Sequence, residues 1–246
     1  MNWRREGDVR WLEAELPGAK VCFSTRVGGV SAAPFESLNL GILTGDERSA
    51  VLENRRRLAS ALGIEPADVA MGRQVHGSRI ATHGPGPGTG AFAEPVPDPE
   101  EVDGHVTSEP GLPMLVLVAD CLPVAVSGPG GLAMLHCGWR GLAGSLVEDA
   151  VRQVRGESAV IGPGIGPCCF EVGDEVLDAF SDLGAGIADG RMCDLTEVAR
   201  RKLESAGVHH VEASGLCSSC EPELFFSHRR DAGSTGRQAG IAWLTG

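Results

Sequence analysis

The sequence predicts an α/β protein, with residues 1–246 forming one domain. Strand-length apolar runs alternate with amphipathic helical repeats, and the centre holds more consecutive strands than a simple βαβ series would. A hydrophobic content of 42% over 246 residues is ample for one substantial core. No internal repeat recurs at a fixed spacing. Charge and hydropathy exclude two classes of partner. The balance of 21 basic against 33 acidic residues, net −12, opposes extended contact with nucleic-acid phosphates. No apolar run approaches the ~20 residues that a membrane helix needs. Residues 1–18 lack the apolar core and cleavage pattern of an export signal, so a cytoplasmic protein with eight reduced cysteines is expected.

Taken in order, Met1 to Leu16 mixes charge with two tryptophans and is expected to lie across the surface. Val21 to Arg26 alternates as a strand and ends at Gly28-Gly29. The following loop carries Asn39, an amide that could address a ligand. Asp46 is placed to cap a helix with Val51, Leu52, Leu58, Ala59 and Leu62 on one face and Gly63 as its stop. Arg55, Arg56 and Arg57 within it read as a solvated face. Val69 to Ile80 reads as strand, turn and strand, with Gln74, His76 and Gly77 in the turn. The Gly/Pro-rich segment 84–99 excludes regular structure and reads as a mobile loop or lid. Asp103 and His105 then lead into the centre.

The stretch Leu115 to Gly144 organises the rest. Leu115 to Val118, with its continuation Leu122 to Val126, and Leu132 to His136 read as strands, the last two joined by a turn at Gly128 to Gly131. A hairpin would bring Cys121 close to His136. The chain then passes through Gly138 and Arg140 into a helix marked by Leu142, Leu146, Val147, Ala150, Val151 and Val154. Further on come a strand from Ser158, a Gly/Pro loop from Ile161, and a helix opened by Asp194 and Glu197 and stopped by Gly207. The Cys217-x-x-Cys220 pair lacks a second CxxC, and Cys168-Cys169 has no ligand spacing of its own. Both read as structural.

Three residues, His76, Cys121 and His136, each follow an apolar run and precede a loop, where side chains can converge. Two histidines and a cysteine suit tetrahedral zinc with a fourth position open to water or substrate. The same atoms could instead serve as a Cys121 nucleophile with His136 as its base, Asp120 or Asp103 orienting the imidazole. A third reading makes Cys121 a core residue and His136 a satisfied strand end. None of the seven histidines forms an HxH pair, so the sequence gives no support to a multicopper oxidase mechanism.

Several separated motifs agree on one resemblance: STRVGGVS from Ser24, NLG from Asn39, QVHG from Gln74, ADCLPV from Ala119, HCGWRGL from His136, IGPGIGPCCFEV from Ile161, and FFSHRRD followed by TGRQAG. Together they resemble the YfiH-type laccase-domain family, called polyphenol oxidases in older usage. The resemblance implies a single-domain α/β/β/α layered fold similar to cytotoxic-factor cysteine hydrolases. It implies zinc held by His76, Cys121 and His136, with copper the ion of the older label. It implies phosphorolysis of adenosine, inosine, guanosine and methylthioadenosine to base and sugar 1-phosphate, with adenosine deamination as a second reaction. Peptidoglycan-precursor editing by a cysteine hydrolase or amidase, and copper-dependent phenol oxidation, are the alternatives attached to it. Under the first reading Cys121, His136 and Asp120 are catalytic, Asp120 or His105 moves protons, Arg140 and Arg26 hold phosphate, and Asn39 and Gln74 address the ribose or base edge. His228 stands where relatives commonly have tyrosine. The sequence carries no signal of oligomeric state.

Overall fold

A computed structural model describes residues 1–246 as two stacked β-sheets with helices outside each, the α/β/β/α order that the resemblance implies. The first half of the chain forms β1 (Asn2–Glu6), β2 (Val9–Leu16), β3 (Ala19–Ser24), α1 (Arg48–Leu62), β4 (Ile80–His83), β5 (Gly104–Thr107) and β6 (Met114–Val118). The second half forms β7 (Leu122–Gly128), β8 (Gly131–Cys137), α2 (Trp139–Ala143), α3 (Leu146–Val154), β9 (Ser158–Ile161), α4 (Asp174–Ala179), β10 (Ala188–Asp189), β11 (Met192–Cys193), α5 (Leu195–Ser205), β12 (His210–Ala213) and β13 (Gln238–Leu244). One sheet has the order β1-β2-β3-β13-β6 and the other β12-β9-β7-β8-β5-β4. No helix is long and apolar enough to cross a membrane.

Side-chain alternation explains the layering. Leu12, Val21, Phe23, Met114 and Val116 of the first sheet meet Ala125, Met134 and Val160 of the second in an apolar core between the sheets. The opposite face of the second sheet, with Val124, Val126 and Leu135, packs on Leu146, Ala150 and Val154 of α3 and on Val198 and Leu203 of α5. The outer face of the first sheet, with Trp11, Cys22, Leu115 and Ile241, packs on Leu58 and Ala59 of α1. Strands β7 and β8 are covered on both faces, which is why their sequences are almost unbroken apolar runs.

Several expectations hold. The hairpin of β7 and β8 forms, with Pro123 opposite His136. Gly63 ends α1 in the left-handed conformation at φ 67, and the Asp194 carboxylate accepts the Glu197 N–H at 3.0 Å. Others are corrected by tertiary structure. Residues 1–16 form two strands: β1 lies exposed on the surface as expected, whereas β2 buries alternate residues and pairs with β3. Leu115 to Val118 and Leu122 to Val126 are not one strand. The chain crosses between sheets at Asp120, whose φ of 90 breaks the run. Of the Val69 to Ile80 segment only Ala70 and Arg73 form isolated bridges before β4, and the helix expected from Leu142 is split into α2 and α3. Asp46 does not cap α1, because its carboxylate is taken by Ser31 Oγ at 2.6 Å and Asn39 Nδ2 at 3.0 Å.

Arg55 corrects the solvated-face reading most sharply. Its side chain is buried, donates to the carbonyls of Leu40, Ala91 and Phe92 at 2.9 to 3.1 Å, and lies over the Phe92 ring. Burial alone pulls its pKa down to about 10. These bonds also pin segment 84–99, which has no helix or strand, at the fully buried Phe92. An Arg55→Leu substitution leaves those carbonyls without donors, each at roughly 1–3 kcal/mol. We expect a loss of about 3 kcal/mol or more and a melting temperature about 6–12 °C lower by calorimetry. An unchanged melting temperature would show the anchoring to be dispensable.

Candidate metal centre

Asp103, fully buried just before β5, is the residue around which the site is assembled. Its Oδ2 accepts the backbone N–H groups of Val75 at 3.1 Å and Gly77 at 2.7 Å, and its Oδ1 accepts that of His76 at 2.9 Å. Successive N–H groups converging on one carboxylate form a nest, and His76 adopts φ 61 to complete it. Gln74 fastens the same turn to β6: its Nε2 donates to the Leu117 carbonyl and its Oε1 accepts the Leu117 N–H, both at 2.7 Å. The QVHG turn is thus shaped by a buried anion on one side and a strand edge on the other.

His136 ends β8 with its Nδ1 2.7 Å from Asp103 Oδ1. That contact turns Nε2 toward Cys121, which stands at the crossing from β6 to β7. The imidazoles of His76 and His136 meet edge to face with centroids 4.9 Å apart, beside the Cys121 sulfur. The ligand atoms of His76, Cys121 and His136 all lie within 4.8 Å of one another. His76 is exposed, so the cluster opens to solvent on its side.

The electrostatics follow from this geometry. Burial opposes the Cys121 thiolate, but the neighbouring imidazole of His136, joined by that of His76, outweighs it and lowers the pKa. Burial opposes the His136 imidazolium, but Cys121 and Asp103 raise its pKa. Burial likewise works against the Asp103 carboxylate, and the bonds from His136 and the turn N–H groups bring it below its ordinary value.

The donor set fits a metal ion. One thiolate and two imidazoles supply three positions of a tetrahedral zinc site, and a carboxylate behind one imidazole fixes its tautomer and raises its basicity. Gly138 keeps the space beside them clear, since a Cβ there would lie 3.1 Å from both Cys121 Sγ and His76 Cδ2.

The other residues singled out in the sequence divide into free and committed groups. Arg140 stands two residues beyond Gly138, its guanidinium 4.3 Å over the Trp139 ring and its N–H groups without a partner in the chain. Arg26 donates to the carbonyls of Glu36 at 2.5 Å and Pro222 at 2.9 Å and stacks on Phe226. Asp120 accepts Ser218 Oγ and the Arg229 N–H, each at 2.7 Å. The Asn39 amide donates to Thr44 and Asp46 and accepts the N–H groups of Gly41 and Arg237, and Gln74 is fully engaged with Leu117. Both amides are thus engaged within the chain. His105 is turned to His83 at 3.0 Å, and burial draws its pKa down to about 3.

Sequence reasoning weighed Asp103 only as an alternative orienting group and gave Arg237 no role. The half-buried Arg237 guanidinium lies close enough for the charges of Cys121 and Asp120 to act on it. Its place in the TGRQAG motif was the available signal. Asp103 was one of two carboxylates offered to orient an imidazole, and tertiary contacts select it over Asp120, which turns to Ser218 and Arg229.

Comparison with known proteins places this arrangement. A sequence profile described as multi-copper polyphenol oxidoreductase laccase matches residues 20–245. The chain is 39% identical over 254 residues to the purine nucleoside phosphorylase YlmD of Geobacillus stearothermophilus, covering 92% of each chain. It is 38% identical over 240 residues to the purine nucleoside phosphorylase YfiH of Escherichia coli, covering 92% of this chain and 94% of that one. The crystal structure of the Geobacillus protein superimposes with a TM-score of 0.91 over 99% of each chain.

Proposed function

Because the chain belongs to the YfiH-type laccase-domain family, we propose that it is a zinc-dependent purine nucleoside phosphorylase. On this reading it converts adenosine, inosine, guanosine and methylthioadenosine to base and sugar 1-phosphate, with adenosine deamination to inosine as a second activity. The observation that carries the reading is the cluster of His76, Cys121 and His136 backed by Asp103. The names of the similar proteins supply the substrate class.

In phosphorolysis a phosphate oxygen bonds to C1′ as the C1′–N9 bond breaks and the base leaves with a proton. Zinc, when bound, supplies Lewis acidity for activating an oxygen nucleophile or polarising the purine. The chain's own residues account for the rest. His136 is locked by Asp103 in the tautomer that presents Nε2. Arg140, whose guanidinium has no partner in the chain, is assigned the phosphate dianion, and Arg237 adds positive charge near Cys121. Asp120, beside Cys121, keeps lone pairs not used by Ser218 or Arg229 and can accept a proton.

A second reading rests on the same contacts. Cys121, His136 and Asp103 form a nucleophile, base and orienting group in sequence, the array of a cysteine hydrolase acting on peptidoglycan precursors. Chelation separates the two, silencing the zinc enzyme and sparing the hydrolase. Copper-dependent phenol oxidation finds little support, because no histidines are spaced as HxH.

The test is to incubate the protein with adenosine, with and without phosphate, and follow adenine and inosine. Adenine release that requires phosphate and stops on chelation is expected; no phosphate-dependent release of the free base from any of the four nucleosides would sink the proposal. Arg140→Ala should raise the KM for phosphate about 10- to 100-fold, the worth of charge-assisted hydrogen bonds. An unchanged KM would remove Arg140 from the phosphate site.

A further inference from the structure

Four cysteines that look unrelated in the sequence come together at a second location. Cys168 and Cys169 lie on the turn after the Gly/Pro loop, where the N–H groups of Cys169 and Phe170 donate to the Gly166 carbonyl. Cys217 and Cys220 lie on a matching turn after β12, where the N–H groups of Cys220 and Glu221 donate to the Cys217 carbonyl. The two turns are joined by a bridge between Gly164 and Cys217 and by the Ser218 N–H, 2.8 Å from the Gly164 carbonyl. This corrects the separate structural readings of the CxxC and CC pairs: one turn supplies what the other lacks.

The sulfur atoms are spaced for a single ion. All four lie within 4.8 Å of one another, and Cys220 Sγ is 3.4 Å from both Cys168 Sγ and Cys169 Sγ. Four sulfurs about 2.3 Å from a tetrahedral zinc stand about 3.8 Å apart. Gly166 permits this approach, since a Cβ there would lie 3.2 Å from Cys217 Cβ and 3.4 Å from Cys168 Sγ. The surroundings suit thiolates. The Gly166 N–H donates to Cys217 Sγ at 3.2 Å. Arg230 reaches the Ser218 and Ser219 carbonyls at 2.9 and 3.5 Å, and Arg229 stacks on Phe170. Arg230 is also paired with Asp231, so its charge is shared between that carboxylate and the turn that carries Cys217 and Cys220.

We propose that Cys168, Cys169, Cys217 and Cys220 bind one zinc ion in a closed, structural tetrathiolate site distinct from the His76, Cys121 and His136 centre. Its ligands are complete without water or substrate, so its role is positional. By clamping the two turns it holds Ser218, whose Oγ donates to Asp120 Oδ1 at 2.7 Å beside Cys121. The ion thus fixes the residue at which the chain crosses between sheets.

The experiment is elemental analysis of the full chain, purified under reducing conditions and equilibrated with zinc. Two zinc ions per chain are expected in the wild type, one in Cys121→Ala and one in Cys217→Ser/Cys220→Ser. Should the double variant fail to fold, cobalt titration of the wild type decides. A second equivalent with the intense charge-transfer and visible bands of tetrahedral thiolate coordination supports the site. Saturation at one metal per chain, with that metal lost in Cys121→Ala, overturns it, as does a titration showing no second sulfur-rich equivalent. A disulfide among the four cysteines in the reduced preparation, found by mass spectrometry, overturns it equally.

Discussion

Asp103→Asn is expected to weaken zinc binding about 10- to 100-fold and to reduce turnover with it, the usual range for a carboxylate behind a metal-bound histidine. The substitution keeps the shape and changes the chemistry. Asp103 accepts four hydrogen bonds, three from the turn at residues 75–77 and one from His136. An asparagine amide turns one acceptor into a donor and points it at another donor. The turn loses a bond, His136 loses the charge that favours its working tautomer, and the spacing of the three ligands relaxes. Competition with a chromophoric chelator reads the metal affinity. A thermal melt of the chelated protein reads the structural part, expected at about 1–3 kcal/mol for an unsatisfied buried group. Unaltered zinc affinity would mean that Asp103 only shapes the turn.

The same residue gives a pH dependence of definite sign. The folded pKa of Asp103 lies below its ordinary value, so the native state binds this proton less readily than the unfolded chain. Its contribution is fully present above the unfolded carboxylate pKa of about 3.9 and fades as pH falls through the lower folded value. Wild-type protein should therefore lose stability more steeply than Asp103→Asn on acidification below about pH 4. Parallel profiles of melting temperature against pH would contradict this.

Cys121→Ala is expected to abolish metal binding at the first centre and to lower phosphorolysis about 10³-fold or more. Alanine removes the one anionic ligand and leaves two neutral imidazoles, too few to hold zinc against solvent. The Lewis-acid contribution, several kcal/mol, goes with it at about 1.36 kcal/mol per factor of ten. Cys121→Ser sharpens the comparison, since an unionised hydroxyl is a poor zinc ligand of similar size. Full activity in either variant would exclude Cys121 from both the zinc and the hydrolase readings. An inactive variant that keeps its metal, alongside a wild type indifferent to chelation, would favour the hydrolase.

The parts of this architecture legible in the sequence are those governed by local periodicity and local termini. The β7–β8 hairpin could be read from two apolar runs and a Gly/Pro turn, and the ends of α1 and α5 from Gly63 and Asp194. His76, Cys121 and His136 were conspicuous because each punctuates an apolar segment, and the hairpin brings the last two together. What stayed hidden depends on contacts between distant segments. Arg55 belongs to a run of three arginines, and only the carbonyls of Leu40, Ala91 and Phe92 distinguish it from its exposed neighbour Arg56. The crossing at Asp120 was masked by apolar residues on both sides, since a strand buried on two faces and a passage between two sheets read alike. The four clustered thiols come from turns that neither length nor spacing connects.

The strand β13 lies between β3 and β6, so the middle of the first sheet is filled by residues 238–244. A chain emerging from the ribosome has made β3 and β6 long before the segment that joins them. Until it arrives, both strands present unpaired edges, the condition that invites aggregation or chaperone binding. The loop that carries Asn39 waits on the same event, because Arg237 immediately precedes this strand and its N–H and carbonyl pair with Asn39 Oδ1 and the Leu40 N–H. A nascent chain that has already made His76, Cys121 and His136 therefore still lacks the strand that completes the first sheet.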